Sequence, residues 1–318
     1  MINGQIILTG ATGFVGQQLV KRLINETECS LKLALRSGGE QFTHPRIAIF
    51  SPIHISGNTD WNPVLKGCEV IVHMAGRAHV LHETAQDPLS EFRKVNTEGT
   101  LNLAWQAAQH GIKRFIFISS IGVNGNETTR NQLFSANDLP NPSNPYAISK
   151  YEAEQGLLRI AKETQMEVVI IRPPLIYGVE AKGNFQRLIQ WLQKGIPLPL
   201  GAINNKRSFV SINNLLSLIV RCMNHPSAAN QIFLVSDGED ISTTDLLRKI
   251  SQIMKLPARL LPIPQGLLTV AAYLLGRKAD LQRLCGSLQI DISKTCATLD
   301  WRPEVTMDEA LRLMLDPK

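Results

Sequence analysis

The strongest constraint on the fold is a glycine-spaced turn near the N-terminus, set between a β-prone apolar segment and a helical pattern. Residues 5–8 lead into Thr9-Gly-Ala-Thr-Gly-Phe-Val-Gly16, and the helical pattern covers residues 17–25. Glycines at this spacing permit a tight turn and a close approach of the backbone to a phosphate, while the helix N-terminus offers unpaired N–H groups to an anion. A purely structural turn is the alternative. The segment predicts a dinucleotide-binding unit built from Gly10, Thr12, Gly13, Phe14, Val15 and Gly16.

Composition and charge indicate an ordinary soluble globular protein. The 318 residues are 44% hydrophobic and 19% charged, which leaves room for a large α/β domain and a smaller lobe. Lys plus Arg number 33 against 27 Asp plus Glu, and this excess of +6 is spread along the chain without a basic run. We therefore expect no nucleic-acid partner, whereas a polyanionic small ligand suits the charge.

The cysteines and the apolar segments bear on compartment and partners. Five scattered cysteines without a C-x-x-C pair predict reduced thiols, no metal site and a cytoplasmic protein. The chain enters its first strand at once, which predicts no signal peptide. The longest apolar stretch, residues 266–276, is too short for a transmembrane segment, which needs ~20 residues. We expect a buried or dimer-facing helix there, hence a possible homodimer; a membrane-surface helix is the alternative.

Strand and helix patterns alternate up to residue 172. Among them are a long helical pattern at 91–110 that Gly111 closes as a cap, an apolar strand at 113–118 and a helix at 146–164. This alternation predicts right-handed crossovers and an α/β fold with a Rossmann-type, doubly wound parallel sheet. Beyond residue 172 the pattern breaks, and the segments 208–210, 214–223 and 232–235 are expected to return to the sheet. The predicted domains are a dinucleotide-binding domain at 1–172 plus about 208–235, and a smaller helix-rich C-terminal substrate-binding lobe at 173–207 and 236–318.

Two further motifs carry candidate chemistry. In Tyr146-Ala-Ile-Ser-Lys150 the tyrosine and lysine share one helix face, so the ammonium is expected to lower the phenol pKa and make Tyr146 an acid/base. Ser119 and Ser120 end an apolar strand at its carboxyl end, where ligands bind in parallel sheets. A surface Tyr/Lys pair and ordinary turn serines are the respective alternatives.

Taken together and in this order, the G-x-x-G-x-x-G turn, the serine and the Tyr/Lys pair resemble the extended short-chain dehydrogenase/reductase superfamily, the NAD-dependent epimerase/dehydratase family. The resemblance implies an enzyme in which Ser120, Tyr146 and Lys150 are catalytic. It also implies that Lys150 holds the nicotinamide ribose. The segments His73-Met-Ala-Gly76 and Arg172-Pro-Pro-Leu-Ile-Tyr-Gly178 are similar to cofactor-lining segments of the family. The further cofactor contacts implied are Ala75, Gly76, Asn96 and Pro173.

The end of the second predicted strand bears on the choice of cofactor. Arg36 stands where NAD enzymes of this architecture place an acidic residue, and Ser37 follows it. A guanidinium there can pair with the 2′-phosphate of NADP, so NADP(H) is favoured and NAD(H) is possible. The alternative is a solvated arginine.

The resemblance also suggests a substrate class. Asn184 and Arg207 match residues that hold the diphosphate in sugar-nucleotide members. Arg77 and His79 are expected to face the substrate, and the alternative is that they line the cofactor. A UDP-sugar is therefore expected, although a lipid-linked diphosphate stays open. Ile121-Gly122 stands where the dehydratases carry Asp-Glu, which argues against dehydration.

Four functions remain. Arg36 favours, narrowly, 4-keto reduction of a UDP-(N-acetylamino)deoxyhexose for surface polysaccharide synthesis. The alternative is a UDP-hexose 4-epimerase, acting on glucose or N-acetylglucosamine, with tightly bound NAD. A non-catalytic dinucleotide sensor and a reductase of non-sugar ketones are more remote.

Overall fold

The computed structural model describes residues 4–78, 85–129, 132–181, 184–276 and 278–315. Its strands, in chain order, are β1 Gln5–Thr9, β2 Ser30–Ala34, β3 Ile47–Phe50, β4 Val70–His73, β5 Arg114–Ile118, β6 Glu167–Arg172, β7 Ile176–Tyr177, β8 Arg207–Ser208, β9 Val210–Ser211, β10 Gln231–Leu234 and β11 Asp240–Ile241. Its helices are α1 Phe14–Glu26, α2 Asn62–Leu65, α3 Pro88–Phe92, α4 Thr100–Gln109, α5 Pro145–Glu163, α6 Asn184–Gln193, α7 Ile212–Asn224, α8 Thr243–Ile253, α9 Gln265–Leu274, α10 Lys278–Cys285, α11 Ser293–Leu299 and α12 Met307–Leu315.

Seven strands form one parallel sheet in the order β10-β6-β5-β4-β1-β2-β3. The strand order reverses between β1 and β4, and at such a point the loops that follow the two strands diverge and open a crevice at the carboxyl edge. The predicted doubly wound Rossmann-type sheet is confirmed, and the glycine turn after β1 lies at this crevice.

Helices cover both faces of the sheet, which explains why its central strands read as continuous apolar runs. All five residues of β5 are buried. On one face α1 and α7 pack against side chains such as Ile6 and Val72; on the other, α2, α4 and α5 pack against side chains such as Ile7 and Phe115. The site at the carboxyl edge therefore rests on a layer that is packed from both sides.

The predicted helix at 91–110 has an unexpected interior. Between α3 and α4, residues Arg93–Gly99 form a π-helix, in which the turns are wider than in an α-helix. Gly111, predicted as the cap, follows α4 with a φ of 71°. The apolar periodicity predicted the helix, but it did not indicate that part of the helix has wider turns.

The expectation that residues 208–210 return to the main sheet is wrong. Instead, β8 pairs with β11 in antiparallel fashion, and β9 pairs with β7 in parallel fashion, outside the seven-stranded sheet. Hydrogen bonds from Ser208 N to Leu288 O (2.8 Å) and from Val210 N to Leu175 O (3.2 Å) give these residues local partners. Of the three segments, residues 232–235 overlap the one strand that joins the main sheet, β10, which pairs with β6.

The C-terminal part of the chain is helical around a separate apolar cluster. Side chains of α6, α8 and α12 meet there, among them Phe185, Leu247 and Leu311. Helix α9 lies on the outside of this cluster and buries none of its residues, so the expectation of a buried helix is wrong. Within the described ranges, no helix is both long and apolar enough to cross a membrane.

Candidate functional site

The turn between β1 and α1 is shaped by its glycines. Gly10 has a φ of 73°, and an added Cβ would lie 2.8 Å from Ala75 N, so this position needs a glycine for two reasons. At Gly16 an added Cβ would lie 2.2 Å from Gly10 O, which holds α1 close to the turn. The predicted roles of Gly10 and Gly16, the turn and the close packing, match these contacts.

The same turn leaves room for a ligand phosphate. Apart from its chain neighbours and its own helix, an added Cβ at Gly13 would come within 4 Å of one described atom, Gly10 O at 3.2 Å, so this side of the residue is less crowded than at Gly10 or Gly16. Gly13 is the N-cap of α1 without a side-chain cap, and Thr12 beside it is exposed. The N–H groups of the first turn, which begins with Phe14 and Val15, are thus available to an anion. These residues fit the diphosphate of a dinucleotide.

The second wall of the crevice is the turn after β4. Asn96, which is fully buried in the π-helix, accepts from Arg77 N at 2.7 Å and donates to Arg77 O at 3.1 Å. An added Cβ at Gly76 would lie 2.9 Å from Asn96 Oδ1 and 3.5 Å from Lys150 Nζ. Asn96 therefore holds the backbone of Arg77, and with it the preceding Gly76, beside Lys150. The wide helical turn places Asn96 there.

His73 connects this turn to the neighbouring elements and does not titrate near neutral pH. Its Nδ1 lies 2.7 Å from Thr9 Oγ1 and its Nε2 lies 2.9 Å from Thr100 Oγ1, so both ring nitrogens are occupied by neutral hydroxyls. Burial, and secondarily the charge of Lys150, lowers the pKa of His73 to about 3. The ring is a neutral bridge between β1, β4 and α4.

The two serines after β5 have different surroundings. Ser119 is buried and its Oγ donates to Glu154 Oε1 at 2.5 Å, whereas Ser120 is half-buried and its Oγ accepts from Gly122 N at 3.1 Å. An added Cβ at Gly122 would lie 3.4 Å from both Ser120 Oγ and Ala147 Cβ, which places Ser120 beside the first turn of α5. Because Ser119 is committed to the interior, Ser120 is the serine that can reach a substrate.

Tyr146 lies in that first turn of α5. Asn144 caps the helix by accepting from Ala147 N at 2.9 Å, and Pro145 follows as the first helical residue. The Tyr146 ring meets Phe92 edge to face, with centroids 6.1 Å apart. Burial raises the pKa of Tyr146 to about 12.

The expectation that the Lys150 ammonium brings the pKa of the Tyr146 phenol below its usual value is therefore wrong, because burial outweighs such an effect. Lys150 Nζ donates to Ile118 O at 2.9 Å and lies 4.3 Å from the centroid of the Phe117 ring. Burial lowers the pKa of Lys150 to about 8, against a smaller opposing effect of Glu154. The Tyr146 phenol is thus protonated near neutral pH, whereas the pKa of the Lys150 ammonium lies close to that range. Both groups lie at the carboxyl end of β5.

Sequence reasoning missed the buried ion pair behind the serines. Arg172 and Glu154 are both fully buried, and Arg172 Nη2 lies 2.5 Å from Glu154 Oε2. Arg172 Nη1 also donates to Asn124 Oδ1 at 2.9 Å. Tyr146, Lys150 and Glu154 stand four residues apart on one helix face, and this continued spacing is the signal that could have found Glu154.

The predicted adenine-side contacts lie at the edge of β2. Thr9 of β1 is in register with Ala34 of β2, and the exposed Arg36 and Ser37 follow shortly after it. Arg36 thus lies on the same edge as the glycine turn. Pro173, the remaining predicted cofactor contact, is buried, and its carbonyl accepts from Ile121 N at 2.9 Å.

Only some of the predicted substrate contacts lie within the described residues. His79 and the side chain of Asn184 lie outside the described residues. The guanidinium carbon of Arg77 lies 5.4 Å from the centroid of the Phe92 ring. Arg207 is half-buried in the lobe, and its Nη1 donates to Gly286 O at 2.9 Å; burial lowers its pKa. In the described part of the chain, no three His, Cys, Asp or Glu side chains come together as a metal site.

Comparison with known proteins decides the family. The sequence model of the NAD dependent epimerase/dehydratase family matches residues 6–236. The chain belongs to this family. A family member from Vibrio cholerae, a UDP-glucose 4-epimerase, is 46% identical over 308 residues, which cover 96% of this chain and 93% of that protein.

Solved structures of the epimerase/dehydratase type share the fold. UDP-glucuronic acid 4-epimerase from Bacillus cereus, in complex with NAD, matches with a TM-score of 0.80 at 21% identity, over 98% of this chain and 96% of that chain. RMD from Pseudomonas aeruginosa, in complex with NADPH, matches with a TM-score of 0.72 at 22% identity, over 98% of each chain. The predictions of an extended short-chain dehydrogenase/reductase and of an NAD(P)-dependent enzyme are confirmed.

Proposed function

We propose that this protein is a UDP-hexose 4-epimerase that retains NAD through its catalytic cycle. The observation that carries the proposal is the 46% identity, over 96% of the chain, to the UDP-glucose 4-epimerase of Vibrio cholerae. Sequence reasoning favoured a 4-keto reductase narrowly on Arg36 alone, and a likeness along nearly the whole chain weighs more than one exposed side chain.

In this proposal, the dinucleotide supplies a reversible acceptor for the hydride on C4 of the sugar. Tyr146 takes the proton of the C4 hydroxyl in the oxidation and returns it in the reduction. Ser120 hydrogen-bonds the same oxygen, and the Lys150 ammonium at the end of β5 favours the phenolate. Since burial raises the pKa of Tyr146 to about 12, the oxidation step depends on positive charge beside the phenol.

Polar groups of the chain then fix the rest of the site. Asn96 holds the turn at Gly76 and Arg77 next to Lys150, and the buried Glu154–Arg172 pair ties Ser119 to α5. This leaves Ser120 and Tyr146 on rigid elements, which an acid/base step needs. Arg207 and Asn184 are proposed contacts of the substrate diphosphate.

A second candidate is a nucleotide-sugar 4-keto reductase that uses exchangeable NADPH. The observation that favours it is the exposed Arg36 after β2, where a guanidinium can bind a 2′-phosphate. In this case Tyr146, already protonated, donates its proton once to the new alkoxide.

One experiment separates the two candidates. Freshly purified protein is denatured, any released dinucleotide is identified, and the native protein is incubated with UDP-glucose and with UDP-N-acetylglucosamine while the C4 configuration is followed by NMR. The epimerase is supported by stoichiometric NAD and by formation of the galacto product without added cofactor.

The control is the Arg36→Asp variant. If the protein is empty, does not epimerise, and binds NADPH more tightly than NADH, and if Arg36→Asp reverses that preference, the reductase replaces the epimerase. A wild type that retains NAD, together with an Arg36→Asp variant of unchanged activity, makes Arg36 a solvated side chain.

A further inference from the structure

Helix α9 presents an apolar surface to solvent. Leu267 is 62% exposed, Val270 59% and Leu274 78%, and Leu275 directly after the helix is 74% exposed. Tyr273, with its amphipathic ring, is 75% exposed. Single exposed apolar residues are common, but this many on one short helix form a patch that needs a partner.

The exposed residues share a face of the helix. Positions 267, 270 and 274 are spaced three and four apart, so their side chains project to the same side. Only Leu268 and Ala272, on the neighbouring side, are half-buried, and Leu268 packs against the lobe cluster around Leu247 and Leu311. The helix is therefore anchored to the lobe along a narrow edge and offers its broad apolar face outward.

The sequence on both sides of this helix is basic. Between residues 255 and 283 the sequence carries five cationic residues and one acidic residue, Asp280. Lys255, Arg259 and Arg283 are exposed in the structure. The other two cations, Arg277 and Lys278, stand three and four residues after the last residue of the helix in the sequence.

We propose that α9 docks the substrate-binding lobe onto an anionic phospholipid surface. An exposed apolar helix face with basic residues at both ends matches a surface of acyl chains under negative headgroups. Tyr273 suits the boundary between these two layers. The ten residues of α9 extend for about 15 Å, too little to cross a hydrocarbon core of about 30 Å, so the helix lies on the membrane and does not span it.

Charge argues against a second copy of this chain as the occupant. A two-fold contact places the same patch on both partners, so the basic residues around α9 would face one another. Like charges brought together oppose such a contact, whereas anionic headgroups neutralise them.

The test is co-sedimentation of the full-length protein with vesicles of phosphatidylcholine, with and without phosphatidylglycerol. We expect the wild type to pellet with the phosphatidylglycerol vesicles and to be released by high salt, since screening weakens attraction between the basic patch and the headgroups. The double variant Leu267→Glu/Leu274→Glu should bind at least about tenfold more weakly, because charged side chains at the apolar boundary are costly.

Matched variants separate docking from folding and catalysis. Leu313→Glu changes a leucine of α12 that is 52% exposed and should bind vesicles like the wild type. Charge reversal at Lys255 and Arg259 should weaken binding while leaving α9 intact, which keeps the test valid if the double variant misfolds. Tyr146→Phe should bind vesicles fully, so the outcome is independent of the proposed epimerase activity.

Two results would overturn the proposal. One is a wild type that does not pellet with phosphatidylglycerol vesicles, or that pellets as well after the Leu267→Glu/Leu274→Glu and charge-reversal changes. The other is a wild-type dimer in light scattering that Leu267→Glu/Leu274→Glu converts to a monomer without any vesicle binding, which would assign the face to a second copy.

Discussion

At the scale of single residues, the chemistry of this site turns on how α5 presents Tyr146. The ring is held edge to face against Phe92. Tyr146→Phe removes only the hydroxyl group and keeps the ring. We expect this variant to lose about 10²- to 10⁴-fold in the rate of epimerisation, the usual contribution of a positioned acid/base. Dinucleotide affinity should stay near that of the wild type.

The measurement is turnover by NMR beside a dinucleotide titration. Ser120→Ala should lower turnover less, since it removes a hydrogen bond and leaves the proton acceptor in place. Turnover in Tyr146→Phe equal to that of the wild type would take Tyr146 out of the mechanism.

Lys150 sets a second expectation, the dependence of activity on pH. Burial lowers the pKa of Lys150 to about 8, so its ammonium is lost as the pH rises above that value. We expect kcat/KM to fall above pH ~8, by about tenfold per pH unit at the limit, because the neutral amine no longer favours the phenolate.

Unfolding does not explain such a fall. The folded pKa of Lys150 lies below its unfolded value of about 10.5, so the unfolded chain binds more protons in that window and this group's contribution to stability rises with pH. Thermal midpoints measured over the same range provide the control. A profile of kcat/KM that stays flat up to pH ~10 would contradict the assignment.

The residue scale also shows what the sequence could and could not predict. Tyr146 and Lys150 were predicted from their spacing and Ser120 from the family resemblance, and the structure places all three at one edge of the sheet. The direction of the shift in the Tyr146 pKa was not predicted, because it depends on burial, and residue spacing carries no information on how the side chain is packed. Glu154 continues the spacing of four on the same helix face, but nothing in that spacing identifies Arg172 as its buried partner.

At the scale of elements, the β1–α1 turn has no room for a side chain at Gly16. A Cβ at Gly16 would lie 2.2 Å from Gly10 O and 2.6 Å from Ala11 Cα, both backbone atoms that cannot rotate away. We expect Gly16→Ala to lower the free energy of unfolding by about 1–3 kcal/mol. The turn must shift, so dinucleotide affinity should fall by more than tenfold.

Gly266→Ala is the control for this prediction. Gly266 lies in α9, and nothing stands within 4 Å of an added Cβ, so alanine should be neutral or stabilising by up to about 1 kcal/mol. Urea unfolding and a fluorescence titration with NADH measure both variants. Equal effects of the two substitutions would mean that the contact at Gly10 O does not control the turn.

Element boundaries were predicted well where apolar periodicity was long, as for α5 and β5. The boundaries were predicted poorly for residues 208–210, because the packing of the lobe determines that these residues pair with Leu288 and Leu175. The π-helix escaped for a related reason, because one wide turn barely changes the periodicity. It is nevertheless what brings Asn96 to the site, so local patterns locate an element better than they locate its side chains.

At the scale of the whole molecule, Asn214 joins parts that are distant in sequence. It is fully buried in α7, donates to Asp237 Oδ1 at 2.7 Å, and accepts from Glu304 N at 2.8 Å and from Val305 N at 3.0 Å. Asn214→Ala would leave the backbone N–H groups of Glu304 and Val305 without this acceptor, whereas Asp237 Oδ1 would still accept from Ser211 N. We expect a loss of about 2–4 kcal/mol in the free energy of unfolding, since each buried group left unsatisfied costs about 1–3 kcal/mol.

The neighbouring Asn213→Ala is the control, because Asn213 contributes its backbone carbonyl to Arg22 and keeps it after the change. The midpoint of urea unfolding measures both variants. If they unfold at the same midpoint, the link between α7 and residues 304–305 does not stabilise the fold.

The seventh strand of the sheet also bears on how the chain is made. β10 pairs with β6, yet about sixty residues, including β7, β8, β9, α6 and α7, separate the two strands along the chain. While a ribosome is still producing those residues, β6 is the outer strand of an incomplete sheet, with bare N–H and C=O groups that invite pairing with other chains. A fragment that stops at residue 172 would keep that edge permanently, so the N-terminal part should aggregate when it is expressed alone.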